Sequence, residues 1–317
     1  MYTIDKPFAY GVSVSGDNFT DRKTETRNLV MNFTHGVNTI LISPRRMGKT
    51  SLVHRAIEQI NDDNIIPVFL DVYDCRDEYD FYNKFSEEII RASSSTVDAA
   101  LRNVAEFIGR ISPKISVSPD LVNEYSISLG LTPKQIRPEE ILALPEMLAK
   151  KRGKHLLICI DEFQQIGEFA DSLTVQKKMR GVWQLQKNVS YCLFGSKKHM
   201  LENIFQNKRM PFYQFGQMMY LGKIDQKDWV EYITSRFEAC GKKIPPEISE
   251  KLCQLVECYS SYVQQLAWNL FVETDSEATS DGLKTATDQL LAQNNSFFTE
   301  QIRTLTSYQI NFLKAVC

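Results

Sequence analysis

The chain has 317 residues, of which 43% are hydrophobic and 24% charged, and a formal net charge of −2. That length holds one sizeable α/β domain and a smaller one, and the near-neutral balance excludes a global positive field that would draw nucleic acid. No apolar run approaches the roughly 18 residues of a membrane span and no signal segment is evident, so a soluble, cytoplasmic protein with no membrane partner is expected.

The opening segment to about Phe19 reads as loop, and Asp21 to Asn32 as a helix with Leu29, Val30 and Phe33 on its apolar side. The run Thr39-Ile40-Leu41-Ile42 is a buried strand leading into Ser43-Pro44-Arg45-Arg46-Met47-Gly48-Lys49-Thr50, and Ser51 to Ile60 reads as the helix that follows. Strand, phosphate loop and helix in that order point to a nucleoside triphosphate. Such a loop turns backbone N–H groups inward, and the helix adds its own unpaired N–H groups and the positive end of its dipole. Gly48 keeps bulk away from the anion, Lys49 reaches the β- and γ-phosphates, and the Thr50 hydroxyl ligates Mg²⁺. The usual pattern begins with glycine, whereas this loop begins with Ser43.

A second strand is expected over Ile65 to Val72, with Pro67 near its start where the missing N–H is tolerated. Helices follow at about Glu78 to Ala92 and Val97 to Ile111. Lys114 to Ser118 and Glu124 to Leu129 alternate like two short strands joined around Pro119-Asp120, an insertion without reactive groups. Glu139 to Lys151 is helical up to a basic end. The continuous apolar run Leu156 to Ile160 then suits a strand buried on both faces of a parallel sheet, and it ends in Asp161-Glu162. Ligands of open α/β sheets lie at the carboxyl ends of strands. There Asp161 would hold Mg²⁺ and Glu162 would act as general base toward water. The competing reading makes both acids caps of a helix from Phe163 onward.

Ser190 to Ser196 is the next strand. If it neighbours the acidic-ended one, Ser196 is placed to bond the attacking water or the γ-phosphate; alternatively Gly195-Ser196 is simply a turn. From Leu221 onward the strand-like pattern stops. Helices are expected from Asp225 to Cys240, from Pro245 to Tyr259, from Ser260 or Ser261 to Val272, and from Asp281 to Asn294. The seven cysteines include no Cys-x-x-Cys pair, and Cys159 and Cys192 read as core thiols. His35, His54, His155 and His199 have no metal-ligand spacing.

With these residues in place, the chain resembles the AAA+ superfamily over about residues 7 to 316. Within it, the likeness is to prokaryotic ATPases close to the STAND class of signal-transducing NTPases. The most specific portion is Pro44-Arg45-Arg46-Met47-Gly48-Lys49-Thr50-Ser51-Leu52. The resemblance implies a P-loop NTPase three-layer sandwich with a parallel sheet over residues 1–220 and an all-helical lid over 221–300. Residues 301–317 then look like the first helix of a truncated or vestigial winged-helix domain. One such helix cannot read DNA alone.

The resemblance further implies ATP and Mg²⁺ as cofactors, held by Ser43 through Ser51 with Thr50 and Asp161 on the metal. Turnover by Lys49, Glu162 and Ser196, the last at the sensor-1 position, would move the lid. Phe19 to Glu25, with Arg22, looks like the N-terminal signature beside the adenine, and Phe8 to Val12, with Tyr10, would lie near the base. Arg209, with Lys208 as competitor, would reach a γ-phosphate on a neighbouring subunit. Self-association and a DNA or protein partner engaged through a C-terminal domain are the partners implied. Two features depart from the family: Ser260-Ser261 replaces the Gly-or-His-Pro motif, and no sensor-2 arginine is evident. The competing function is an ATP-gated scaffold or DNA-associated regulator that hydrolyses little.

Overall fold

The computed structural model describes residues 7–12, 14, 16, 19–94, 116–118, 126–128 and 137–316. The chain divides into two units. One is Arg22–Gly222, and the other joins Lys223 onward to the described residues of the opening segment.

The first unit is built on a five-stranded, all-parallel sheet flanked by helices. Its elements are α1 (Lys23–Thr34), β1 (Thr39–Ile42), α2 (Lys49–Glu58), β2 (Ile65–Asp71), α3 (Glu78–Ala92), the short strands β3 (Ser116–Ser118) and β4 (Ser126–Ser128), α4 (Pro138–Arg152), β5 (His155–Asp161), a 3₁₀ helix (Phe163–Glu168), α5 (Ser172–Trp183), β6 (Val189–Gly195), α6 (Lys198–Gln206) and β7 (Gln217–Tyr220). The strand order is β2-β5-β6-β1-β7, while β3 and β4 form a separate antiparallel pair. The strands β1, β5 and β6 are buried almost throughout, as expected of continuous apolar runs covered on both faces.

Side-chain alternation divides this unit's core between the two faces of the sheet. Ile40, Ile42, Val68, Leu70, Ile158, Ile160, Tyr191 and Leu193 pack with Phe81, Phe85, Leu142, Leu148, Met179 and Trp183 of α3, α4 and α5. The opposite parity carries Phe69 and Phe194, and there His54 of α2 stacks on Phe69 at 4.4 Å between ring centroids. Register brings the strand ends together. Asp71 pairs with Asp161, and Ile42 pairs with both Gly195 and Tyr220.

The second unit comprises α7 (Gln226–Ala239), α8 (Pro246–Leu255), α9 (Ser260–Glu273), α10 (Ser280–Arg303) and α11 (Ser307–Val316). Its core gathers Trp229, Ile233, Phe237, Leu252, Val263, Leu266, Leu270, Leu283 and Ala286 around Phe8. None of the described helices is long and apolar enough to cross a membrane.

Three elements differ from their expected form. The helix opened by Pro245-Pro246 stops at Leu255, because Glu257 and Cys258 both adopt positive φ, at 48° and 55°. The helix expected from Asp281 to Asn294 continues to Arg303. The strand β7 had no counterpart in the sequence-based expectations; it is four half-exposed residues on the sheet edge, too short to show alternation. The helix expected over residues 97 to 111 lies outside the described residues.

Candidate functional site

The parallel register places the carboxyl ends of β1, β5 and β6 side by side, and the loop from Ser43 to Gly48 leaves the sheet at this edge. Its shape depends on two residues with left-handed backbone. Arg46 has φ 65° and Gly48, directly before the first residue of α2, has φ 86°. A side chain at position 48 would be strained by that conformation. Ser43 occupies the first loop position with an ordinary backbone. It is buried, its N–H bonding Gly195 O at 3.4 Å and its hydroxyl bonding Pro44 O at 3.2 Å. Met47 and Ser51 are buried, while Pro44, Arg45 and Arg46 are exposed.

The chemistry-bearing side chains meet in one hydrogen-bonded cluster. Lys49 Nζ lies 2.7 Å from Glu162 Oε1 and 3.3 Å from Asp161 Oδ1. Thr50 Oγ1 donates to Asp161 Oδ2 at 2.6 Å. Ser196 Oγ donates to Glu162 Oε2 at 2.9 Å, and Arg45 Nε donates to Ser196 Oγ at 3.4 Å. Asp161 Oδ1 accepts from the Glu162 N–H at 2.8 Å. Glu162 itself has φ 52°, a left-handed conformation that is uncommon for a residue with a side chain. The acids do not cap a following α-helix through their side chains. Glu162 stands before a 3₁₀ turn without a side-chain capping bond, and both its carboxylate oxygens face the cluster.

Burial pushes the Glu162 carboxyl up, but the hydrogen bonds from Lys49, Gln164 and Ser196, with the Lys49 charge, outweigh it. Together they hold the group below its ordinary value of 4.5. Glu162 is therefore an ionised acceptor at neutral pH. At the end of β2, Asp71 is displaced the other way. Partial desolvation lifts its carboxyl, opposed by the bond from the Tyr73 N–H, and the adjacent Asp161 charge lifts it further.

Gln164 and Asp71 carried no role in the sequence-based expectations, yet both belong to this edge. Asp71 had a readable signal, since β2 is another apolar run ending in an acid. Gln164 had none, because an amide two residues beyond Glu162 reads as the surface of a short helix. Its Nε2 instead donates to Glu162 Oε2.

The remaining expected residues lie outside this hydrogen-bonded cluster. Phe8 is fully buried in the helical unit's core, its ring set against Tyr232, Phe237 and Phe271. Tyr10 and Phe19 are half-buried in the same unit. Arg22 is buried, its guanidinium donating to Gly222 O at 2.6 Å and to Glu25 at 3.1 Å, which ties the start of α1 to the chain after β7. Arg209 lies on the exposed turn after α6, its N–H bonding Asn207 Oδ1 at 3.0 Å, and it takes no part in the bonds that knit the cluster.

No protein-family model matches the chain, and no curated protein matches it. Solved structures do. A Walker-type ATPase of Pyrococcus abyssi superposes with a TM-score of 0.67 at 15% identity, over 94% of this chain and 79% of that one. The ORC2 protein of Aeropyrum pernix, in ADPNP–ADP complexes, matches with a TM-score of 0.56 at 13% identity, over 91% of this chain and 70% of that one. The ORC1 protein of the same organism, in complex with DNA, matches with a TM-score of 0.55 at 13% identity, over 92% and 70%. At such identities the likeness is one of fold, and the fold is that of the P-loop NTPases.

Proposed function

We propose that the chain is an AAA+-type ATPase that binds ATP with Mg²⁺ at the loop Ser43 to Ser51 and hydrolyses it. One observation carries this reading: Lys49, Thr50, Asp161, Glu162 and Ser196, drawn from three separate segments, converge on a single cluster at the carboxyl edge of the sheet. Structural bonding alone does not call for a half-buried lysine between two acids beside a loop with two left-handed residues.

The residues suit both ligands. The Thr50 hydroxyl and the Asp161 carboxylate, 2.6 Å apart, are hard oxygen donors of the kind Mg²⁺ takes. Lys49 at the start of α2, beside the helix's unpaired N–H groups, is a place for phosphate oxygens. When bound, the metal supplies a positive charge that neutralises charge developing on the phosphates. Lys49 would exchange its carboxylate partners for phosphate oxygens. Glu162, ionised, would accept a proton from the attacking water, and Ser196 would donate a hydrogen bond to the γ-phosphate or to that water.

Arg209 belongs to this proposal only across an interface, where a planar guanidinium suits a bidentate phosphate contact. Turnover is proposed to change the arrangement of the helical unit, as the family resemblance implies, and membership close to the STAND class belongs to the same proposal. Phosphate release measured with Mg²⁺ and with chelator, on the unmodified chain and on Glu162→Gln, tests it. Release that requires Mg²⁺ and fails in the variant supports the ATPase. Tight ATP binding without release would leave the ATP-gated scaffold or DNA-associated regulator.

A further inference from the structure

We infer that Gln164 is a positioning residue for Glu162, its amide holding one carboxylate oxygen from a slot left open by Gly195. The inference rests on Glu162 being the general base. Gln164 sits one residue into the 3₁₀ turn Phe163–Glu168 and is 2% exposed. Its Nε2 donates to Glu162 Oε2. The amide's orientation follows from chemistry, because an ionised carboxylate only accepts, so the –NH₂ end must face it.

That orientation leaves Gln164 Oε1 buried with no hydrogen-bond partner among the described residues. A buried acceptor without a donor is unfavourable, and an apolar side chain of equal length would fill the same space without that cost. The bond to Glu162 accounts for an amide here. The slot is equally specific. A Cβ at position 195 would run into Gln164 Oε1 and would stand 3.0 Å from Gln164 Cδ and 3.4 Å from Glu162 Cα. Glycine at the end of β6 is therefore what admits the amide.

The division of labour on the carboxylate gives this bond its purpose. Lys49 holds Oε1, whereas Ser196 and Gln164 both hold Oε2. Phosphates would draw Lys49 away from Oε1 and would compete for the Ser196 hydroxyl. Gln164, packed against Gly195 and buried, would keep its bond, so Oε2 stays anchored while Oε1 is released to accept a proton. Losing this donor would free the carboxylate to leave the geometry in which it accepts that proton.

The test uses Gln164→Leu and Gln164→Met, which keep about the same volume and remove the donor without adding charge. In each variant, ATP affinity by calorimetry is expected to stay within about twofold while kcat falls by about 10-fold or more. In the Glu162→Gln background, the Leu substitution is expected to add no further loss. Independently of turnover, a crystal structure of either variant should show the Glu162 carboxylate moved from, or disordered at, the place it holds in the unmodified protein. Unchanged kcat together with an unmoved Glu162 carboxylate in either folded variant overturns the inference. Absence of Mg²⁺-dependent release in the unmodified chain would sink the base assignment instead, and the carboxylate's position in the variants would still show whether Gln164 holds it.

Discussion

In the proposed ATP site Lys49 is the residue to test first, because its ammonium is shared between Asp161 and Glu162. A triphosphate must displace those carboxylates, and two outcomes follow. Lys49→Ala should abolish measurable ATP binding by calorimetry, since the loop loses its point charge. Glu162→Gln should bind ATP more tightly than the unmodified protein, because one competitor for Lys49 becomes neutral, while phosphate release falls by something like 10²-fold. Wild-type affinity in Lys49→Ala would sink the loop assignment. The depressed Glu162 pKa adds a pH signature. A carboxyl held below its unfolded value contributes stability that is fully present above the unfolded pKa and is lost as pH falls through the folded one. The stability gap between the unmodified chain and Glu162→Gln, followed by denaturant unfolding, should therefore be constant near neutrality and shrink in acid below the ordinary carboxylate range. A gap independent of pH would mean that the cluster bonds do not favour the ionised form.

Among the elements, strand ends matter more than strand interiors. Apolar runs made β1, β5 and β6 legible, because burial on both faces demands continuous hydrophobic sequence; the edge strand β2 is an apolar run as well, although only Val68 and Leu70 of it are buried. The edge strand β7 needed no such run and left no pattern, although it completes the pairing of β1. The opening segment gave the reverse lesson. Phe8 stood near an adenine by resemblance, while its ring fills the core of the helical unit beside Tyr232 and Phe237. Phe8→Ala should accordingly cost about 3–5 kcal/mol of stability in denaturant unfolding, the usual range for emptying a buried aromatic site. A variant of undiminished stability with weakened ATP binding would return Phe8 to the ligand.

For the molecule as a whole, the open matter is whether the site is completed by a second copy. Arg209 is exposed on its turn and takes no part in the Lys49–Glu162 cluster, which is the placement a residue acting across an interface requires. Arg209→Ala mixed into unmodified protein should lower turnover with increasing mutant fraction, and activity should rise with protein concentration. A trans arginine contributes on the order of 10³-fold or more in related chemistry, so the effect would be large. Concentration-independent turnover by a species of monomeric mass in ATP and Mg²⁺ would remove Arg209 from the mechanism.

The phosphate loop, the acidic-ended strand and the parallel sheet could be read from residues alone because each is written in a few consecutive positions. A buried strand needs an unbroken apolar run, and a backbone anion cradle needs its glycine and lysine at adjoining positions. The meeting of these pieces could not be read so. Thr50 bonds a carboxylate 111 positions away, and Arg45 reaches a hydroxyl 151 positions away. Those contacts exist because β6 lies between β5 and β1, an order set by how whole faces of the sheet are covered. The Gln164 amide shows the same limit at close range: only the approach of Gly195 from another strand turned a surface-like glutamine inward onto Glu162.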